Sequence, residues 1–195
     1  EQGLMRGDVV ILFARAPRLG AVKRRLARGI GAMAALRFYR AQLARTLRLA
    51  RDPRWRVELA VTPDHGAARW PRGIARIPQG RGDLGVRMGR ALGRHRRAVL
   101  VGSDIPDLSR ADIAAAFRAL GRAQAVFGPA EDGGYWLVGL GPRRPARPFA
   151  AVRWSGPHAL GDTLANFAGR PIALLRRLRD VDTAADLAAI RRARR

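Results

Sequence analysis

The sequence contains no cysteine, so disulfides, thiolate zinc sites and cysteine nucleophiles are excluded, and a reducing compartment is consistent with that lack. Its three histidines, His65, His95 and His158, are scattered without metal-ligand spacing. Neither a Gly-x-Ser-x-Gly elbow nor a His-Glu-x-x-His helix occurs, which sets aside serine-hydrolase and zinc-protease chemistry. No stretch of about 18 apolar residues runs without a charge, so no membrane span is expected. The opening Glu1-Gln2-Gly3-Leu4 lacks the basic and apolar regions of a secretory signal, and the expectation is a cytoplasmic protein. Repeats, low-complexity segments and linkers are also missing, which leaves one domain over residues 1–195.

Lysine is scarcest of all among the charged types. Of 38 basic residues only Lys23 is a lysine, in a chain whose formal net charge is +23. Such a charge suits nucleic-acid phosphates. The arginines, however, are spread through every expected helix and loop, with one cationic run at Arg191-Arg192-Ala193-Arg194-Arg195 and no interleaved aromatics for base stacking. Specific nucleic-acid binding is therefore not expected. A guanidinium and an ammonium are interchangeable on a solvated face but not where a compact charge meets a phosphate. The surviving Lys23 points to such a role.

What is present reads as alternating strands and helices. Val9 to Phe13 is short, β-branched and apolar throughout, as a strand buried on both faces should be. Leu36, Tyr39, Leu43, Leu47 and Ala50 fall at helical spacing within residues 32–51. Strands follow at 57–61, 74–77, 98–101, 125–127, 135–140 and 172–175, and helices at 84–95, 109–120, 158–167 and from Thr183. This order predicts an α/β fold of three αβα layers around a mainly parallel sheet, with ligands at the carboxyl ends of the strands.

Five segments carry the candidate chemistry. The loop from Ala14 and Arg15 to Lys23, Arg24 and Arg25 brings five basic residues and a helix start after the first strand, a setting for an anion, although it is no Walker A loop. Gly80-Arg81-Gly82-Asp83-Leu84-Gly85 matches a dinucleotide fingerprint literally, but its place after a brief strand favours a glycine turn closing on a base or ribose. Gly102-Ser103-Asp104-Ile105-Pro106-Asp107 ends a buried strand with two carboxylates. Hard cations seek such oxygen-rich ends, with helix capping by Asp107 or Ser109 as the competing reading. Glu131-Asp132-Gly133-Gly134-Tyr135 could supply a base or orient a sugar hydroxyl, or could form a hairpin turn. Arg179 to Leu187 looks like a capping box, with Asp182 or Thr183 starting the last helix and Asp186 reaching back.

Taken in order, Phe13 to Leu26, Gly82 to Gly85, Gly102 to Leu108, Gly128 to Tyr135 and Asp180 to Thr183 resemble the bacterial glycosyltransferase-like family labelled arsenosugar-biosynthesis glycosyltransferase. That family is similar to GT-A glycosyltransferases (nucleotide-diphospho-sugar transferases) and more distantly to nucleotidyltransferases of molybdenum-cofactor and phospholactate metabolism. The resemblance implies Mg2+ or Mn2+ held by Asp104 and Asp182. It implies a nucleotide held by Ala14, Arg15, Lys23, Arg25, Gln79, Gly82, Asp83 and Ser103. Acceptor or sugar contacts would come from Glu131, Asp132, Gly133, Gly134 and Tyr135, with Asp132 and Lys23 as catalytic groups. The implied partners are a nucleotide sugar or a nucleoside triphosphate and a small-molecule acceptor. Glycosyl transfer leads; nucleotidyl transfer, or non-catalytic binding of a nucleotide or nucleic acid, stand as alternatives. Two departures are visible: the family commonly has Thr where this chain has Arg24 and Glu where it has Val86, so a ligand contact could be lost.

Overall fold

Alternate residues of the first strand face opposite layers, as the pleat requires. Val9 and Ile11 pack with Met88, Leu92, Phe149 and Phe167 on one side of the sheet, while Val10 and Leu12 pack with Leu43, Leu47, Ile113 and Phe117 on the other. All four strand residues are fully buried. The computed structural model describes residues 5–65 and 70–193. The opening Glu1 to Leu4, and Arg194 and Arg195 of the terminal cationic run, lie outside the described residues.

The elements run β1 (Met5–Arg15), α1 (Arg24–Ile30), α2 (Ala32–Ala50), β2 (Arg56–Thr62), β3 (Ala75–Pro78), α3 (Leu84–Gly93), β4 (His95–Gly102), α4 (Arg110–Ala119), β5 (Ala125–Pro129), β6 (Tyr135–Leu140), α5 (Ala159–Ala165), β7 (Ile172–Leu174) and α6 (Ala184–Ala193). They form a seven-stranded sheet in the order β3-β2-β1-β4-β6-β5-β7. Every neighbouring pair is parallel except those made by β6, which is antiparallel to both β4 and β5. The α/β architecture and mainly parallel sheet expected from the strand–helix alternation are therefore present.

The antiparallel strand has a local cause. β5 turns directly into β6 through residues 130–134, where the Ala130 amide donates to the Gly134 carbonyl and the Gly134 amide donates to Asp132 Oδ1 at 2.9 Å. The hairpin reading of the acidic glycine segment is thus the one the backbone adopts. Helix α1, by contrast, was expected only as a helix start. It begins without a side-chain cap, at Lys23 with φ 48° and ψ 46°, and is anchored by Leu26, which packs with Val181, Leu187 and Ile190. No helix among the described residues is long and apolar enough to cross a membrane.

Candidate functional site

The carboxyl ends of β1, β2 and β4 open onto a cavity of about 410 Å³, lined among others by Ala14, Arg15, Lys23, Arg25, Gln79, Ser103, Asp104 and Asp182. At its centre, Lys23 Nζ lies 2.6 Å from Asp104 Oδ2 and 2.8 Å from Asp182 Oδ1. Arg25 reaches the other oxygen of Asp182 at 3.2 Å. Residues 159 positions apart thus meet at one point.

Each partner is delivered by its own local structure. Asp104 follows β4 at Gly102, and its carbonyl accepts from the Val181 amide, tying the segment before α6 to this strand end. The capping box is built by Thr183 and Asp186: Asp186 Oδ2 accepts from the Thr183 hydroxyl and amide and from the Asp182 amide. Capping needs only the backbone of Asp182, so its carboxylate is released to face Lys23. The two readings of Asp182 are compatible.

Burial would press the Lys23 pKa down, but Asp104 and Asp182 outweigh it and hold the ammonium above its ordinary value. The lysine therefore stays charged between its two acids. The loop folds Nζ inward onto the carboxylates, a partnership that the expected phosphate role of Lys23 did not include. The two carboxylates also fit a hard cation: Mg2+ in particular is commonly held by one or two carboxylates plus substrate phosphates. Among the described residues no group of three or more His, Asp or Glu side chains surrounds a single cation position.

The remaining nucleotide candidates divide. Buried Gln79 donates through Nε2 to the carbonyls of Ala14 and Ala60, and its Oε1 accepts from Arg87 at 2.9 Å. Gln79 therefore braces the cavity wall. Gly82 and Asp83 line neither this cavity nor its neighbour; Asp83 caps α3 by accepting from the Val86 amide at 2.8 Å. Asp107 lies outside both cavities as well, and the helix cap beside it is Ser109 with Asp112. Val86 is half exposed on the first turn of α3 and also lines neither cavity, whereas Arg24 lines the first.

A second cavity of about 240 Å³ shares Gly102 and Asp104 with the first and is lined also by Asp132, Gly134, Tyr135, Trp154 and Asp180. Gly85 permits the Trp154 ring to approach α3, since a Cβ there would come within 2.7 Å of it. Trp154 meets Tyr135 edge-on at 6.5 Å. Glu131 is turned away and pairs with Arg179 at 2.6 Å on the surface, and Gly133 lies behind the cavity against Pro157. Of the five acceptor candidates, Asp132, Gly134 and Tyr135 face the cavity and Glu131 and Gly133 do not.

Tyr39, Arg87, Trp154 and Asp180 line the cavities although the sequence reading gave them no part in the site. Tyr39, from α2, accepts from the Arg15 amide at 2.8 Å and donates to the Arg15 carbonyl at 2.9 Å, fixing the start of the basic loop. Burial and the Arg15 guanidinium lower the pKa of Arg87. Asp180 is pushed up to about 6, first by burial and then by Asp132, Asp182 and Asp104. Tyr39 left the trace of its helical spacing and Asp180 that of the Asp180 to Thr183 motif, which gave it no role of its own; Arg87 and Trp154 sit in no local pattern.

Known proteins share both the sequence pattern and this fold. A family described as uncharacterized protein conserved in bacteria (DUF2064) matches residues 45–156. A structure from Desulfovibrio desulfuricans G20, provisionally described as a nucleotide-diphospho-sugar transferase, superposes with a TM-score of 0.88 at 29% identity, covering 98% of this chain and 89% of that one. Two further structures share the fold. One is Rv0371c from Mycobacterium tuberculosis H37Rv in complex with manganese, with a TM-score of 0.52, 15% identity and coverage of 95% and 98%. The other is 2-C-methyl-D-erythritol 4-phosphate cytidylyltransferase from Thermus thermophilus, with a TM-score of 0.53, 17% identity and coverage of 97% and 98%. No curated protein matches the sequence. None of these matches carries an arsenosugar specificity.

Proposed function

This chain belongs to the bacterial family DUF2064, and from that premise we propose a nucleotide-utilising transferase that moves a glycosyl group from a nucleotide-sugar donor to a small-molecule acceptor. The observation that carries this reading is the first cavity: five basic side chains, Arg15, Lys23, Arg24, Arg25 and Arg87, ring a pair of convergent carboxylates at the strand ends. A donor diphosphate would be held by these cations, while Tyr39 and Gln79 keep the loop and wall in place. Asp104 and Asp182 would hold Mg2+ or Mn2+, which when bound supplies Lewis-acid neutralisation of the diphosphate.

In the transfer, the acceptor oxygen forms a bond to the anomeric carbon as the bond from that carbon to the diphosphate breaks. The electron pair leaves with the nucleoside diphosphate, whose added charge Lys23 and Arg25 stabilise. The acceptor proton passes to Asp132, which faces the second cavity beside Asp104. The fold shared with a cytidylyltransferase supports a second reading, attack of a substrate phosphate on a nucleoside triphosphate.

The test is product analysis with UDP- and GDP-sugars and with nucleoside triphosphates, each with and without Mn2+. Release of nucleoside diphosphate from the sugars supports glycosyl transfer, and pyrophosphate from the triphosphates supports the second reading. Asp104→Asn should abolish the metal-dependent part of nucleotide affinity; an unchanged metal effect would remove Asp104 from the proposed site.

A further inference from the structure

The two adjoining cavities are opposite in charge. A fifth of the chain is basic, so a lining of fifteen residues drawn at random would hold about three Lys or Arg; the second cavity has none. It has three carboxylates instead, Asp104, Asp132 and Asp180, beneath aromatic walls. The neighbouring arginines are held off it. Arg153, next to Trp154, is turned outward into a two-pronged pair with Asp162 at 2.9 Å, and Arg179, next to Asp180, is taken by Glu131 at 2.6 Å.

Resting on the transferase reading above, we propose that the second cavity takes an uncharged or cationic acceptor, a hydroxyl compound with an apolar face or an amino sugar-like cation, and rejects acceptors bearing phosphate or carboxylate. A dianionic group entering here would face Asp132 and Asp180, which have no ion pair of their own among the described residues, beside an Asp104 already paired with Lys23, and would lose its hydration to aromatic walls. A neutral ring can stack on Trp154 and Tyr135 while its hydroxyls donate to Asp132 and Asp180. A cation adds attraction to both the carboxylates and the ring faces. The same sorting disfavours a phosphate nucleophile, and so bears on the choice between the two transferase reactions.

The test reads the indole N–H resonance of Trp154, identified by its loss in Trp154→Phe, during titration with glucosamine, glucose and glucose 6-phosphate. These share a ring and differ in charge. Pyrophosphate is kept in excess to fill the first cavity, and its own binding is measured separately by calorimetry. Glucosamine and glucose should move the Trp154 signal, with glucose 6-phosphate weaker by at least about tenfold. In the isosteric pair Asp132→Asn with Asp180→Asn that gap should shrink to about threefold or less. Glucose 6-phosphate acting at or below the concentration of glucose, a gap unchanged in the double variant, or a Trp154 signal unmoved by all three sugars would each overturn the proposal. Failure of pyrophosphate to bind would instead count against the nucleotide reading, and the order at Trp154 is read in either case.

Discussion

Lys23 Nζ sits 2.6 Å from Asp104 Oδ2 and, through the same ammonium, joins that strand end to Asp182. The lysine side chain is only 6% exposed, so a tethered cation occupies the point where the two carboxylates converge. On the proposed function, a divalent ion would compete with Lys23 for that point. Phosphate oxygens that draw the ammonium away would open the carboxylates to metal.

Removing the tethered charge should uncouple the two events. Lys23→Met removes the buried ammonium shared by the two carboxylates and leaves only the exposed Arg25 on Asp182, so Mn2+ should bind the nucleotide-free protein at least about tenfold more tightly than in the parent chain. Calorimetry or the paramagnetic resonance of free Mn2+ measures this. Unchanged Mn2+ affinity would show that these carboxylates are not its seat.

Tyr39→Phe removes the group that both receives the Arg15 amide and serves its carbonyl. Two backbone groups of the basic loop lose a partner, and stability should fall by about 1–3 kcal/mol in chemical denaturation. Nucleotide affinity should weaken with it, because Arg15 and Lys23 sit on the loop that this hydroxyl pins. Parent-like stability would mean that water replaces the hydroxyl without loss.

Val86 stands three residues after the cap of α3, the position where a glutamate would complete a capping box with Asp83. Position 86 lines neither cavity, so the glutamate that the resemblance implies here would serve the helix end. Val86→Glu should therefore raise stability by about 0.3–1 kcal/mol through the helix N-terminus and leave nucleotide affinity unchanged. A several-fold change in nucleotide affinity would contradict this placement.

Buried Glu58 bonds to buried His95 at 3.0 Å, and that bond lowers the Glu58 pKa more than burial raises it. A carboxylate with a lowered folded pKa takes up protons more readily in the unfolded chain. Its contribution is present above about pH 4.3 and is lost as pH falls through the folded value. Glu58→Gln should be less stable than the parent at neutral pH and show a flatter decline of Tm from about pH 5 to pH 3. Parallel Tm curves for the two proteins would sever the link to this pair.

Much of the fold was legible because the signals were local. Val9 to Leu12 carries its burial in its own residue types, and Leu36 to Ala50 its helix in its spacing. Helix α1 was less visible, since Arg24–Ile30 has no capping side chain and is held by contacts with the distant Val181 and Leu187. The same contrast runs through the site. Asp104 announces itself at the end of an apolar strand, while its pairing with Asp182 was implied by family resemblance and its engagement with Lys23 needed the folded chain. Glu131 looked like a ligand beside Asp132, yet the turn sends the two side chains to opposite sides, one to Arg179 and the other to the cavity. Asp180 stood in the Asp180 to Thr183 motif without a role of its own, and Trp154 in no motif, because their places at the second cavity come from packing between segments distant in the chain.

The Gly133 main chain lies directly on Pro157: a Cβ at this positive-φ position would come within 2.3 Å of the Pro157 carbonyl oxygen, and the Gly133 carbonyl accepts from the Leu160 amide at 3.0 Å. The gap between the hairpin carrying Asp132 and the segment carrying Trp154 is thus set by peptide groups touching peptide groups. Such a frame makes a glycine outside the cavity lining as consequential for the cavity as any wall residue, since a side chain at Gly133 would force the two backbones apart.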